Sequence, residues 1–166
     1  SGNIGVAFTY NEPLVGYEFV YDTARLLKEV GLATVLVTNG QIEKDSWLHL
    51  LPYIDAVNID LKGFTQAFYD WIGGDLETTK AAIAMAAEEG VHVEVTTLVI
   101  PGKNDSAAEM AAEAEWLAGI SAELPLHLSR YFPRYQSKIP MTPVETLQSL
   151  KHVAEARLRF VHLGNI

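Results

Sequence analysis

The chain has 166 residues, a formal net charge of −9 and no cysteine. This length is sufficient for one domain with a hydrophobic core, and we expect a single domain over 1–166. The acidic charge argues against nucleic acid as a partner. No apolar run approaches the roughly 18 residues that span a membrane, and no export signal precedes the first strand, so we expect a cytoplasmic protein. Without cysteine, these residues contain no disulfide, thiolate nucleophile or Cys-ligated iron–sulfur cluster.

The hydrophobic pattern predicts six strands with a helical connection between each consecutive pair. The predicted strands cover residues 4–10, 33–37, 56–61, 91–100, 126–131 and 159–163. The predicted helices cover residues 14–30, 43–51, 77–89, 105–117 and 143–156, with a further short helix within 63–74. Strands that alternate with helices indicate a parallel sheet with right-handed crossovers.

Three helix starts carry capping signals. Asn11 precedes Pro13 and is typical of an N-cap. Asn104 or Asp105 is expected to cap the helix that follows the fourth strand. The sequence Thr-Pro-Val-Glu at 142–145 has the spacing of a capping box, with proline at the first helical position.

The predicted strand at 56–61 has one apolar and one polar face. Val57, Ile59 and Leu61 alternate with Asn58, Asp60 and Lys62. Other predicted strands repeat this pattern through His92, Glu94, Thr96, His127, Ser129 and His162. Because buried polar groups need partners, a curved sheet with a wet or ligand-filled concave side fits this pattern, and we expect a partial (β/α) barrel of parallel strands. A doubly wound sheet with hydrogen-bonded interior histidines is the alternative.

Polar residues stand at the end of successive predicted strands. They are Tyr10, Asn11, Glu12, Thr38, Asn39, Asp60, Lys62, Thr97, Ser129 and Arg130. This mixture of carboxylates, cations, amides and hydroxyls suits a zwitterionic ligand. Each residue also has a structural interpretation: Asp60 and Lys62 can form an ion pair, and Asn11 can serve only as a cap. The histidines lack the short spacing of metal ligands, so we predict no metal site.

The ordered set of strand ends resembles radical SAM (S-adenosylmethionine) enzymes over essentially the whole chain. The segments that carry the resemblance are Thr9–Pro13, Val37–Gly40, Asn58–Gly63, Val93–Asp105 and Leu163–Ile166. They are similar to the pyruvate formate-lyase activating enzyme group and, within it, to the AmmeMemoRadiSam-system radical SAM protein. The family fold is a partial (β/α) barrel that binds SAM and a [4Fe–4S] cluster at the C-terminal ends of the strands.

The resemblance implies the following contacts with SAM. Tyr10-Asn11-Glu12-Pro13 stands where the family has Gly-Gly-Glu-Pro, so Glu12 is expected to bind the methionine amino group. The other residues implied in SAM binding are Thr38, Asn39, Asp60, Lys62, Val99, Ser129 and Arg130. The family's cluster is held by a Cys-x-x-x-Cys-x-x-Cys motif, which this cysteine-free sequence lacks. We therefore expect a barrel truncated at its N-terminal side, with the cluster and the catalytic residues in a longer parent protein only.

Two further functions remain open. In the first, Lys62 forms a Schiff base with a carbonyl substrate and Asp60 carries the proton, as in a barrel lyase or aldolase. In the second, the chain is a non-catalytic binding domain. The radical SAM resemblance implies reductive cleavage of SAM to a 5′-deoxyadenosyl radical in the parent, with a protein substrate such as a glycyl radical enzyme as partner. An exposed edge of the truncated barrel also predicts self-association.

Overall fold

A computed structural model describes residues 2–166 of the chain. The six strands are β1 (Gly5–Phe8), β2 (Ala33–Thr38), β3 (Ala56–Asp60), β4 (His92–Val99), β5 (Leu126–Arg130) and β6 (Val161–Gly164). The helices are α1 (Tyr17–Glu29), α2 (Lys44–Leu50), α3 (Gln66–Ile72), α4 (Leu76–Glu88), α5 (Ala107–Ile120) and α6 (Val144–Glu155). Short 3₁₀ turns cover Pro13–Gly16 and Leu51–Tyr53.

The strands belong to one unclosed parallel sheet in chain order from β1 to β6. The fold class expected from the sequence, α/β with parallel strands, is therefore confirmed. The chain divides into two compact units, which are described separately below. Among the described residues, the first unit comprises 2–60 and 77–94, and the second comprises 61–76 and 95–166.

In the first unit, the apolar faces of the strands pack against helices. Leu36 of β2 and Val57 and Ile59 of β3 are almost completely buried. Trp47 of α2 is buried as well, and its indole Nε1 donates a hydrogen bond of 2.9 Å to the carbonyl of Ala82. Strand β2 pairs with β3 in the register that places Thr38 opposite Ile59. This register fixes the carboxyl ends of the two strands, where the candidate residues lie.

In the second unit, the core forms between the strands and the helices α5 and α6. Its buried residues include Leu61, Met110, Leu117, Leu126, Leu128, Leu147 and Leu150. Strand β5 pairs with β6 in parallel, with His127 opposite His162. The two imidazole rings lie 5.2 Å apart, and both histidines are partly or fully exposed. His127 and His162 are thus accessible rather than interior, unlike the histidines of the doubly wound alternative.

The three capping predictions are wrong. Glu12 instead of Asn11 is the cap of the first turn, because its carboxylate accepts a hydrogen bond from the N–H of Leu14. Ser106 caps α5 through the N–H of Glu109. Thr142 does not form a capping box, since its hydroxyl donates to the carbonyl of Val99 instead. In each case a polar side chain close to the predicted cap is used to hold another strand or loop.

Candidate functional site

Glu12 is the centre of a hydrogen-bond cluster in the first unit, which we call the Glu12 cluster (Glu12, Thr38 and Asn39). Its Oε1 accepts hydrogen bonds from Leu14 N at 3.1 Å and from Thr38 Oγ1 at 2.7 Å. Its Oε2 accepts a hydrogen bond from Asn39 N at 2.7 Å. The carboxylate therefore joins the loop after β1 to the end of β2, and its own position is fixed by three donors.

The turn after β2 is ordered by the same kind of local hydrogen bond. Asn39 Oδ1 accepts a hydrogen bond of 2.8 Å from Gln41 N, and Thr79 Oγ1 donates to the carbonyl of Asn39 at 3.2 Å. Gly40 has a φ of +70°, and a Cβ there would lie 3.0 Å from Ile59 Cγ2. The positive φ favours glycine at this position, and a Cβ there would also press tightly against Ile59.

The Glu12 cluster retains hydrogen-bonding capacity for a ligand. A carboxylate offers about four lone-pair positions, and three donors contact Glu12. Asn39 uses its Oδ1, whereas its Nδ2 has no hydrogen-bond partner among residues 2–166. One acceptor and one amide donor thus remain within the cluster. This combination fits an ammonium and a carboxylate carried by the same ligand.

The two residues before Glu12 have left-handed backbone conformations. The φ angle is 65° at Tyr10 and 52° at Asn11. The family motif has glycine at both positions, and glycine adopts this conformation without steric cost. The chain thus keeps the glycine-type backbone with residues that carry side chains. Tyr10 is 88% exposed, so its phenol makes little compensating contact.

Asp60 is the last residue of β3 in the first unit. It is half-buried, as is Asn58, whereas Val57 and Ile59 are buried. The alternation predicted for this strand is therefore confirmed. Asp60 ends β3 on the same face as Asn58, as the sequence predicts for these two polar residues.

In the second unit, side chains fix the backbone around Lys62. Lys62 N donates to Tyr69 Oη at 3.2 Å, and the carbonyl of Lys62 accepts a hydrogen bond of 2.7 Å from Asn104 Nδ2. Phe64 N donates to Glu109 Oε1 at 2.7 Å. A Cβ at Gly63 would lie 2.8 Å from Phe68 Cδ1, which excludes any larger residue without rearrangement. Hydrogen bonds to the main chain therefore fix the position of the segment that carries the Lys62 side chain.

Asn104 is the central residue of this arrangement, which we call the Asn104 cluster (Asn104, Lys62, Leu98 and Ile100). Its Nδ2 also donates to the carbonyl of Leu98 at 2.9 Å, and its Oδ1 accepts from Ile100 N at 2.7 Å. Asn104 is only 2% exposed. One buried amide thus joins the end of β4 to the loop that contains Lys62.

Glu113 is a fully buried carboxyl group that the sequence interpretation missed. Burial raises the pKa of Glu113 to about 8, and the charge of Glu109 adds to this rise, while donation of the Thr97 hydroxyl to the ionised carboxylate would oppose it. Thr97 Oγ1 lies 2.5 Å from Glu113 Oε1 and 2.9 Å from the carbonyl of Leu61. A hydroxyl has one proton to donate, and the carbonyl can only accept. A protonated Glu113 therefore completes both hydrogen bonds.

The remaining predicted residues lie in the second unit at the ends of β4 and β5. The side chain of Val99 is completely buried, whereas its neighbours Leu98 and Ile100 are half-buried. Ser129 is half-buried, and its Oγ lies 3.1 Å from the position that a Cβ of Gly164 would take. Arg130 Nε donates to the carbonyl of Thr142 at 2.7 Å. In the second unit, the main chain of Lys62 is thus joined to the end of β4. Arg130 is joined to the segment that precedes α6.

The sequence contains signals for the residues that were missed. Met110, Glu113, Ala114 and Leu117 form the buried stripe of α5, so one acid occupies a core position of an otherwise apolar helix face. Thr97 lies on the buried face of β4, which it shares with Val95 and Val99. An acid and a hydroxyl on two buried faces could have been recognised as a pair.

The residues present do not fit the family's iron–sulfur cluster. The chain has no cysteine, and among residues 2–166 no group of three or more His, Asp or Glu side chains is arranged to hold a metal ion. Within the described residues, no helix is long and apolar enough to cross a membrane.

Comparison of the sequence and the fold with known proteins shows what this chain is similar to. The uncharacterized protein MJ0808 of Methanocaldococcus jannaschii is 38% identical over 165 residues, which cover 98% of this chain and 49% of that protein. The chain thus spans about half the length of this curated relative. A domain of pyruvate-formate lyase-activating enzyme from Bacteroides vulgatus has a TM-score of 0.79 at 21% identity, with 99% of this chain and 100% of that chain covered.

Two further solved structures have the same fold. A radical SAM methyltransferase from Sphaerobacter thermophilus has a TM-score of 0.74 at 19% identity, over 96% of this chain and 50% of that chain. SuiB of Streptococcus suis bound to S-adenosylmethionine has a TM-score of 0.73 at 13% identity, over 96% of this chain and 39% of that chain. At these identities the likeness shows the fold alone, the α/β partial barrel. The model of the radical SAM superfamily matches residues 2–114, more than half of the sequence, and this chain therefore belongs to the radical SAM superfamily.

Proposed function

We propose that this chain binds S-adenosylmethionine as part of a radical SAM enzyme. The observation that carries the proposal is the Glu12 cluster. Three donors orient its carboxylate and leave one acceptor position, and the Nδ2 of Asn39 adds a donor. An acceptor for the ammonium of methionine and a donor for its carboxylate are what an amino-acid-bearing nucleoside requires.

The rest of the proposed SAM contacts follow from the family resemblance. They are Asp60, Lys62, Val99, Ser129 and Arg130. Lys62 is proposed to meet the carboxylate of methionine, and its fixed main chain supports a defined position for the ammonium group. Val99 is proposed on the adenine side. Because its side chain is completely buried, its contribution there is to support the strand.

The proposed reaction is the reductive cleavage of SAM to a 5′-deoxyadenosyl radical. The reducing electron would be supplied by the family's [4Fe–4S] cluster, for which these 166 residues contain no cysteine ligands. The part of this chain is to bind and orient SAM, since it carries no cluster ligands. A protein substrate, such as a glycyl radical enzyme, or another molecule would receive the radical.

Calorimetric titration of the protein with SAM tests this proposal. We expect saturable binding, and we expect Glu12→Gln to weaken it by about tenfold or more, because one ion pair of roughly 1.4 kcal/mol accounts for a tenfold change in affinity. S-adenosylhomocysteine is expected to bind through the same amino-acid part.

Glu18→Gln is the matched control, because Glu18 is an exposed acid in the first turn of α1. It makes the same chemical change in the same unit and is expected to leave SAM affinity unchanged. Equal SAM affinity of Glu12→Gln and the unmodified protein, or no SAM binding at all, would contradict the proposal. Thermal unfolding of both variants separates loss of the ligand contact from loss of the fold.

The two alternative functions are tested separately. Borohydride trapping of a carbonyl substrate on Lys62 would support the Schiff-base lyase. Absence of both trapping and SAM binding would support the non-catalytic binding domain. The kinship with the AmmeMemoRadiSam-system protein, the cytoplasmic location and the self-association through an exposed strand edge stay predictions from the sequence.

A further inference from the structure

The second unit contains a cavity of about 520 Å³ at the ends of its strands. Its lining comes from the end of β4, from the segment after β5, from α3 and from the segment after β6. The residues used below are Trp71, Leu98, Ile100, Arg130, Phe132 and Arg134. This volume lies within the range of about 300–1,000 Å³ that is usual for small-molecule sites.

The cavity is basic in an acidic protein. The chain as a whole carries a net charge of −9, yet the stretch 124–144 contains Arg130, Arg134 and Lys138 and no Asp or Glu. Two of these cations, Arg130 and Arg134, line the cavity. Lys103 lies beside it, with its Nζ 4.5 Å from the centre of the Trp71 ring. The local charge therefore favours an anionic ligand.

The two arginines of the cavity have no acidic partner among residues 2–166, in contrast to Arg25 and Arg159, which pair with Glu29 and Glu123. Arg130 is held at Nε by the carbonyl of Thr142, and its Nη2 contacts only Met141 Sδ at 3.4 Å. The guanidinium is thus fixed at one nitrogen and keeps its other N–H groups for a ligand. The carbonyl of Arg134 accepts a hydrogen bond from Ser137 N, whereas its exposed side chain makes no hydrogen bond or ion pair with residues 2–166.

The cavity walls also offer flat apolar surface. Trp71 is 52% exposed and Phe132 is 40% exposed. Leu98 in β4 and Ile100 directly after it are half-buried and complete the apolar part of the cavity wall. The guanidinium of Arg130 lies 5.1 Å from the centre of the Phe132 ring. Aromatic walls beside arginines suit a ligand with an apolar body and an anionic head.

We propose that this cavity binds a small molecule that combines an aromatic or aliphatic body with a carboxylate or a phosphate, and that this molecule is the substrate of the enzyme. Its anionic head is bound by Arg130 and Arg134, and its body packs against Trp71 and Phe132. Binding to this cavity does not depend on the proposed function. The role of the bound molecule as the substrate does rest on the proposed function. A carboxylate and a phosphate share this chemistry, because arginine binds both through paired N–H groups.

Fluorescence titration tests the cavity directly, because Trp71 lies in its wall, whereas Trp47 is completely buried and Trp116 does not line the cavity. The probes are phenylacetate and phenyl phosphate, which distinguish the two head groups. We expect a saturable change in emission with at least one of them. Trp71→Phe should abolish this change. Arg134→Gln should weaken binding by about fivefold to tenfold, as expected for the loss of one charge-assisted contact.

Arg157→Gln is the matched control. Arg157 is an exposed arginine of the same unit, and its guanidinium donates a hydrogen bond to the neighbouring carbonyl of Ala156. It should leave the affinity for both probes unchanged. Arg130 is not used as the test residue, because it also belongs to the proposed SAM contacts.

Three results would overturn the assignment. Inorganic phosphate that binds as tightly as phenyl phosphate would indicate an adventitious ion only. Benzyl alcohol that binds as tightly as the acids would show that charge plays no part. An acidic peptide that requires Arg134, together with no response to the small acids, would indicate a protein-binding surface instead.

Calorimetry with SAM on the same preparation separates the two proposals. Anion binding that depends on Arg134, without SAM binding, would contradict the proposed function and leave the cavity assignment in place. SAM binding without any Arg134-dependent response to the acids would overturn the cavity assignment alone.

Discussion

The Glu12 cluster of the first unit and the Asn104 cluster of the second unit each connect a strand end to a neighbouring loop through one polar side chain, but they differ in what they leave available. Glu12 is half-buried and has about one acceptor position left after three hydrogen bonds. Asn104 is 2% exposed, and both protons of its Nδ2 are used. Accessibility combined with spare capacity indicates a ligand contact, whereas burial with used donors indicates a structural role.

Glu113 extends the comparison to a second carboxyl group. Glu12 receives hydrogen bonds from two main-chain N–H groups and a hydroxyl, an environment that suits a carboxylate. Glu113 is fully buried, and Thr97 is its hydrogen-bond partner. Burial raises the pKa of Glu113 to about 8, so the group is mainly protonated at neutral pH. The same residue type thus accepts three hydrogen bonds at a half-buried site in one unit and forms a fully buried neutral link in the other.

The largest effect is expected for Asn104→Ala, which removes the centre of the buried cluster. The change would leave the carbonyls of Lys62 and Leu98 and the N–H of Ile100 without their partners. Each unsatisfied buried group costs about 1–3 kcal/mol, so we expect a loss of roughly 3–5 kcal/mol in the free energy of unfolding. Urea denaturation measures this loss.

Asn3→Ala is the control for this prediction, since Asn3 is exposed and makes one local hydrogen bond to Gly5 N. It should change the free energy of unfolding by less than about 1 kcal/mol. Similar small effects of the two substitutions would show that the Asn104 cluster is not a structural centre, and the distinction from the Glu12 cluster would fail.

The next largest effect is expected for Glu113→Gln, and it depends on pH. The folded protein holds the proton of Glu113 up to a pKa of about 8, whereas the unfolded chain releases it near the ordinary value of 4.5. The stability that this group contributes is therefore fully present below about pH 4.5 and is lost as the pH rises towards 8. Glutamine does not titrate and can still donate to Thr97. Between pH 4 and pH 8 we therefore expect the stability of the variant to improve relative to the unmodified protein by on the order of 4 kcal/mol.

Urea denaturation across this pH range measures the prediction. Glu115→Gln on the exposed part of the same helix is the matched control, and it should leave the pH dependence of stability unchanged. Parallel pH profiles for Glu113→Gln and the unmodified protein would show that Glu113 is ionised in the folded state. The neutral link to Thr97 would then be incorrect.

The order of strands and helices could be predicted because hydrophobic periodicity is a local property of the sequence. The alternation of Val57 and Ile59 with Asn58 and Asp60, for example, is found in the structure as predicted. The three caps could not be predicted in this way, since Asn104 and Thr142 bind groups that are distant in the sequence. A local capping signal cannot show whether a long-range partner competes for the same side chain. For the same reason Glu12 was found through the family resemblance, while its bonds to Thr38 and Asn39 required the structure.

The smallest effect is expected for Tyr10→Gly, which tests whether strain at the Glu12 cluster is local. A left-handed conformation costs a residue with a side chain roughly 1–2 kcal/mol, and glycine avoids this cost but loses about 0.5–1 kcal/mol through its greater freedom in the unfolded chain. We therefore expect Tyr10→Gly to stabilise the protein by about 0.5–1 kcal/mol, or roughly 1–4 °C in melting temperature. Tyr135 also has a positive φ, 52°, and is 97% exposed, so Tyr135→Gly should give a gain of similar size in the second unit. Tyr10→Ala keeps the strain and should give no gain. A gain at Tyr135 with a loss at Tyr10 would mean that the tyrosine side chain itself supports the loop that carries Glu12.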